Sequence, residues 1–276
     1  MPFGSMGTMT RFDTATAVTA VGNGHYTAEL DSGYLIGSAI NGGYVMATMQ
    51  RAALSGSTHP HPVSSSYVFL RPAAAGPADI AVTPIKTGRT VSTVQATVSQ
   101  NETLLISGTI AAGTLDPAAT PEYETSQPDI PPMERCHRFD PREHSGAPSG
   151  FPDRVEQYFT PDSMRRMEGR SSERIPELAG YIQLSARDGG PSADQSRFLP
   201  FAVDALPPVV TVLDSWRWAP TVELTWLMRA VPEPGPLMFV SRADSVNDGW
   251  FDETVDLWDV KGRLVAQSRQ LARVGR

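Results

Sequence analysis

The sequence predicts an α+β fold in which one unit, a helix followed by an antiparallel sheet, occurs twice in a single chain. Three observations lead there. A helix-forming stretch is followed by four strand candidates in each half, the intervals between corresponding elements agree, and a proline-rich segment divides the halves.

Met1, Met6 and Met9, with Gly4 and Gly7 among them, read as a disordered start over residues 1–15, set aside from fold reasoning. The first unit is expected over 16–115. A leading strand is placed at 26–30. Asn41 is a good N-cap, and Met46, Ala47, Met49, Gln50, Arg51, Ala52 and Ala53 carry a helix to about residue 54. A strand over 63–70 stops at Arg71-Pro72. Three more, at 78–86, 90–99 and 103–111, are separated by Gly88-Arg89 and by a turn at Asn101-Glu102.

Residues 116–150, with seven prolines from Pro117 to Pro148 and Pro152 just beyond among Ser, Gly, Glu and Thr, have linker composition. The second unit is expected over 151–276, with a leading strand at 181–185. Leu199 to Asp204 leads into an apolar stretch reaching about residue 213. Pro207 and Pro208 fit a helix only in its first turn, so this helix is expected to begin near Ala205, with Asp204 at or near its N-cap. Strands at 221–228, 237–244, 250–259 and 263–273 complete the unit, the first ending at Arg229. The intervals agree: Arg71 to Leu104 is 33 residues and Arg229 to Leu264 is 35, while Asn41 to Arg71 is 30 and Asp204 to Arg229 is 25.

Composition narrows the function classes. A net charge of −7 disfavours a nucleic-acid binder, which needs a concentrated basic face. The charge bounds partners rather than the site, since a few local arginines suffice for a phosphorylated ligand. The single cysteine, Cys136, cannot form an internal disulfide or a thiolate metal site. No run of about 18 apolar residues is present and no secretion signal opens the chain, so a cytoplasmic protein without a membrane partner is expected. All five histidines, at 25, 59, 61, 137 and 144, lie in the first half or the linker, and no G-x-S-x-G elbow occurs, which disfavours a serine-hydrolase site in the second unit. His59 and His61 flank Pro60 without acidic or cysteine neighbours and read as a polar turn rather than metal ligands. No metal is expected.

A helix laid across an antiparallel sheet brings its unpaired N–H groups and partial positive charge to the sheet's edge. Gly42 and Gly43 at that end allow a ligand to approach the backbone, which is the geometry of an oxyanion site. Asn41-Gly42-Gly43-Tyr44, the strand ending Ser66-Tyr67-Val68-Phe69-Leu70-Arg71-Pro72, and the closing strand Leu264-Val265-Ala266-Gln267-Ser268-Arg269-Gln270 together resemble the double hotdog acyl-CoA thioesterases of type II. The resemblance runs from about residue 20 to the C-terminus and is weakest in the proline-rich middle.

It implies two helix-wrapped sheets, fatty or modified acyl-CoA substrates, a place in fatty acid metabolism, no cofactor, and a polar triad of Asp, Thr or Ser, and Gln in the second hotdog. Carried over, the aspartate falls on Asp204 and the glutamine on Gln270. The hydroxyl falls on Thr221 or, second, Thr225, four residues apart and on one face of a regular strand. Such a triad can orient a water and take its proton while backbone N–H groups meet the oxyanion, without a covalent intermediate. Asn41, Gly42 and Gly43 are expected near substrate, and Arg71 and Arg229, which end corresponding strands, are candidates for a CoA phosphate. A monomer and a homodimer of double units both fit the resemblance. Two alternatives stay open, an enoyl-CoA hydratase and a non-catalytic acyl-CoA-binding module. The copies are unequal in one respect: where the second has Gln270, the first has Ile110.

Overall fold

A computed structural model describes residues 9–142, 150–213 and 218–275. The chain opens with α1 (Arg11–Ala15), then β1 (Thr19–Gly22), β2 (His25–Leu30), the short ribbon β3 (Leu35–Ile36) and β4 (Ala39–Ile40), and α2 (Gly42–Ser55). Four long strands follow: β5 (His61–Phe69), β6 (Gly76–Lys86), β7 (Ser92–Gln100) and β8 (Thr103–Gly113). The second half carries β9 (His137–Phe139), β10 (Val155–Phe159), α3 (Pro161–Met167), β11 (Glu177–Leu184) and α4 (Gln195–Ala202). Then come β12 (Thr221–Met228), β13 (Leu237–Arg242), β14 (Val246–Asn247), β15 (Trp250–Trp258) and β16 (Leu264–Arg273).

Each half wraps antiparallel strands around a helix, which is the expected double hotdog. The two sheets join edge to edge in the order β1-β2-β6-β7-β8-β5-β12-β16-β15-β13-β11-β10-β9. The seam is the antiparallel pair β5 and β12, in which Tyr67 opposes Leu224 and Ser66 opposes Thr225. Helix α2 forms because Asn41 caps it, its side-chain oxygen accepting the Tyr44 N–H at 2.9 Å, and because its Ala, Met and Gln residues favour helix. It is buried on nearly every side, as a helix enclosed by its own sheet must be, and Gln50 settles its amide on the Tyr67 hydroxyl at 2.9 Å.

A buried polar joint ties the halves behind α2. The Tyr34 hydroxyl donates to Asp188 at 2.7 Å, Arg154 donates to Asp31 at 3.1 Å, and the rings of Tyr34 and Tyr44 stack at 4.0 Å. Both carboxylates meet a cation or a hydroxyl, the condition under which burying them is tolerable.

Three elements depart from the sequence reading. Residues 1–8 of the expected disordered start lie outside the described residues, but Arg11–Ala15 form α1. Thr10 caps that helix, Phe12 is buried, and Asp13 is held by Arg197 at 2.6 Å. Part of the expected linker, 116–150, packs on the second sheet: Leu264 N–H donates to Glu124, Trp258 donates to the Thr125 carbonyl, and His137–Phe139 pair with β10. Residues 143–149 of it lie outside the described residues.

The third departure concerns Asp204, which follows a helix instead of starting one. Helix α4 is capped by Asp194 and ends before Asp204, and the apolar stretch resumes only as a 3-10 turn over Val209–Val212. Pro207 and Pro208 lack the donors needed to continue α4, so they separate the two.

Candidate active site

The N-terminus of α2 points at Asp204 of the other half. One carboxylate oxygen of Asp204 accepts the Gly43 N–H at 2.6 Å and the Asn41 side-chain amide at 3.2 Å, and the same Asn41 amide reaches the Asp204 carbonyl at 3.1 Å. Asn41 thus works at both ends, its oxygen capping α2 and its nitrogen holding Asp204. The approach is close enough to exclude a side chain at Gly43: a Cβ there would stand 2.8 Å from Asp204 Cβ and 2.9 Å from the Pro200 carbonyl oxygen. Burial pushes the Asp204 carboxyl up to about 7, against the lowering effect of the Gly43 and Asn41 hydrogen bonds.

Thr221 and Gln270 meet across the second sheet, the Thr221 hydroxyl donating to Gln270 Oε1 at 2.5 Å. An irregularity in the pairing of β12 with β16 brings them together. Leu224 opposes Gln270 and Glu223 opposes Leu271, but Thr221, not Val222, opposes Ala272. The extra residue is a bulge, and it turns Thr221 to the inner face that Leu224, Gln270 and Ala272 share.

Thr221 and Thr225 therefore do not share a face, contrary to the regular-strand expectation. Thr225 is exposed, and its hydroxyl bonds Ser66 across the seam at 2.8 Å.

A residue that the sequence reading passed over completes the cluster. Glu253 on β15, 1% exposed, lies opposite Gln270. It accepts the Ser241 hydroxyl at 2.7 Å and the Val209 N–H at 3.3 Å, and the side chain of Gln270, the residue facing it, favours its charged form. Burial is the main influence on its carboxyl, which rises to about 7, with the nearby charge of Asp204 pushing the same way. A signal was present: Glu253 falls on the β15 face occupied by Phe251, Val255 and Leu257, where a carboxylate is out of place.

The two arginine candidates separate. The seam is antiparallel, so Arg71, two residues past the end of β5, lies at the Thr221 end of β12, where the Phe69 ring abuts Gly42. Arg71 is exposed and donates to the Leu104 carbonyl at 3.1 Å. Arg229 follows the other end of β12, roughly 26 Å from Thr221 along the strand at about 3.3 Å per residue. There it lines a cleft of about 330 Å³ with Leu115, Tyr123 and Arg263.

His59 bonds Thr114 and the Gly88 carbonyl at 3.2 and 2.9 Å, and His61 accepts the Leu115 N–H at 2.9 Å, so both pin the start of β5. Among the described residues, no three His, Cys, Asp or Glu side chains are placed to hold a metal ion, and no helix is long and apolar enough to cross a membrane.

Two family models match this chain: the acyl-CoA thioesterase N-terminal domain over residues 30–115, and the acyl-CoA thioesterase C-terminal domain over 129–274. Among solved structures, a protein of Thermobifida fusca assigned as a thioesterase II is 57% identical, with a TM-score of 0.92 and 97% of this chain and 98% of that one covered. A hot dog protein of Alicyclobacillus acidocaldarius is similar in fold, with a TM-score of 0.81 at 23% identity over 96% and 98% of the two chains. Over 93 residues, 34% of this chain, the sequence is 41% identical to the uncharacterized protein Rv0499 of Mycobacterium tuberculosis, and that match spans 32% of the relative's length.

Proposed function

The chain belongs to the acyl-CoA thioesterase family and is a thioester hydrolase, and on that premise we propose that it cleaves acyl-CoA with a water held between Asp204 and Thr221. The observation that carries this reading is the Asp204 carboxylate, fixed by the first turn of α2 and raised to about 7. A base so placed is half charged near neutral pH and takes a proton most effectively there.

The Thr221 proton is committed to Gln270 Oε1, so its oxygen is left to accept. A water that donates one hydrogen to Asp204 and the other to Thr221 turns a lone pair outward, toward a thioester carbonyl. As the water oxygen bonds the carbonyl carbon, one water proton passes to Asp204. The C–S bond then breaks and the thiolate of CoA leaves, with Asp204 the nearby source of a proton for it.

The developing oxyanion needs a donor. Gly43 and Tyr44 already spend their N–H groups on Asp204 and Asn41, whereas Gly42 donates to no side chain or loop carbonyl among the described residues. Gly42 N–H, at the positive end of α2, is the donor of this reading. Arg71 lies at this end of the seam and is the candidate for a CoA phosphate.

Thiol release from an acyl-CoA length series tests the reading. Asp204→Asn and Gln270→Ala proteins with wild-type circular dichroism are expected to lose at least about a hundredfold in kcat. Since Asp204 accepts a proton only as carboxylate and its folded-state value is raised, wild-type kcat/KM should fall as pH drops through about 7. Wild-type rates in Asp204→Asn would overturn the assignment.

A further inference from the structure

The hydrolytic reading leaves one buried acid unused. Among the described residues Glu253 has no cation paired with it, which is costly for a carboxylate enclosed among Phe251, Val255 and Leu257, so its retention calls for a role. Its neighbours supply donors instead, Ser241 from β13 and Val209 from the 3-10 turn, and Gln270 of β16 faces it. Among the described residues, the charged group acting on it is Asp204. Arg242, Asp252, Asp256 and Arg269 of the three strands lie on the sheet's other face, where Arg269 pairs with Asp252 at 3.1 Å and Arg242 approaches Asp256.

A glutamine amide has two ends of similar size and opposite polarity, and its orientation is set by its partners. The Thr221 hydroxyl occupies Oε1. Nε2 is therefore the end left to face Glu253 on the neighbouring strand, and an ionised carboxylate, which only accepts, favours that choice. A relay follows in which each member dictates the next: Ser241 and Val209 orient Glu253, Glu253 orients the Gln270 amide, and Gln270 takes the Thr221 proton.

Resting on the hydrolase reading above, we propose that Glu253 is a positioning residue that fixes the amide of Gln270 and, through it, keeps the Thr221 oxygen free to accept from the attacking water. It does not touch the reacting atoms. Replacing it with an amide removes the acceptor-only partner and lets Gln270 turn either way. Because Glu253 and Asp204 repel one another, the pair titrates together, and neutralising one lowers the value of the other.

The test is Glu253→Gln in the full chain, assayed by thiol release against pH beside wild type. We expect kcat to fall tenfold or more and KM for acyl-CoA to stay within twofold. The acid limb of kcat/KM should move to lower pH. Ser241→Ala is the second variant, and it serves alone if Glu253→Gln does not fold. It removes a hydrogen bond that favours charged Glu253, so its acid limb should move the opposite way, to higher pH, with a smaller loss in kcat. A merely structural role would not shift the limb in opposite directions. An active wild type with unchanged kcat and limb in both variants overturns this inference and leaves the hydrolase reading standing. A wild type that releases no thiol from any acyl-CoA overturns both.

Discussion

The two sheets have corresponding strands beside the seam, and these differ where chemistry is possible. Arg71 N–H meets the Leu105 carbonyl and Arg229 N–H meets the Val265 carbonyl, which fixes the equivalence of β8 and β16. Five residues on stand Ile110 in the first sheet and Gln270 in the second. The strand beside them places Val94 opposite Ile110 and Glu253 opposite Gln270. An apolar pair in one copy is thus an amide and a carboxylate in the other, on the same backbone. Burying polar groups costs stability unless they are satisfied. The second copy satisfies them with Thr221, Ser241 and Val209, whereas in the first the hydroxyl opposite Ile110, that of Ser65, is already bonded by Gln50 of α2.

Exchange across the copies is the sharpest way to break that contrast. Gln270→Ile, which installs the first copy's residue, should lower kcat by about 10²–10³, the scale of losing a key transition-state group. Ile110→Gln should leave thiol release within about twofold while costing about 1–3 kcal/mol in urea unfolding, because a buried amide is left unsatisfied. An active Gln270→Ile protein would erase the distinction between the sheets.

A smaller effect separates the two threonines. Thr221→Ala should lose about tenfold to a hundredfold in kcat. Thr225→Ala, on the outer face with Ser66, should stay within about twofold. Equal losses would mean that the bulge in β12 does not select the hydroxyl.

The smallest effect distinguishes the ends of the seam. Arg71→Ala should raise KM for acyl-CoA about fivefold, the worth of roughly 1 kcal/mol in an exposed charge contact, and leave KM for the corresponding acyl-pantetheine unchanged. Arg229→Ala should change neither. A KM effect confined to Arg229 would place the nucleotide at the opposite end.

Much of this was legible in the sequence because turn chemistry and alternation are local. Asn101 and Glu102 do adopt positive φ, at 49° and 63°, and the helix begins at its Asn41 cap. Strand β12 starts and stops where its residues said it would. What was not legible depends on partners distant in sequence. Asp204 is a good cap by composition, yet the two prolines after it move the helix to its other side. The bulge that turns Thr221 inward exists only in the register of β12 against β16, which no property of Thr-Val-Glu announces. Glu253 was an intermediate case. Its charge on an apolar face could be read from the alternation of β15, but its purpose could not, since Ser241, Val209 and Gln270 come from three other segments.

The hydrogen bonds from Asn41 and Gly43 to Asp204 cross the boundary between the duplicated halves, so Asp204 and the helix end that holds it come from different copies. In an assembly of separate single units that meeting would depend on protein concentration, and dilution would empty the site. Within one chain it is an intramolecular encounter at a fixed, high effective concentration. Covalent fusion lets the base proposed here be held across a seam without making turnover per molecule a function of how many molecules are present.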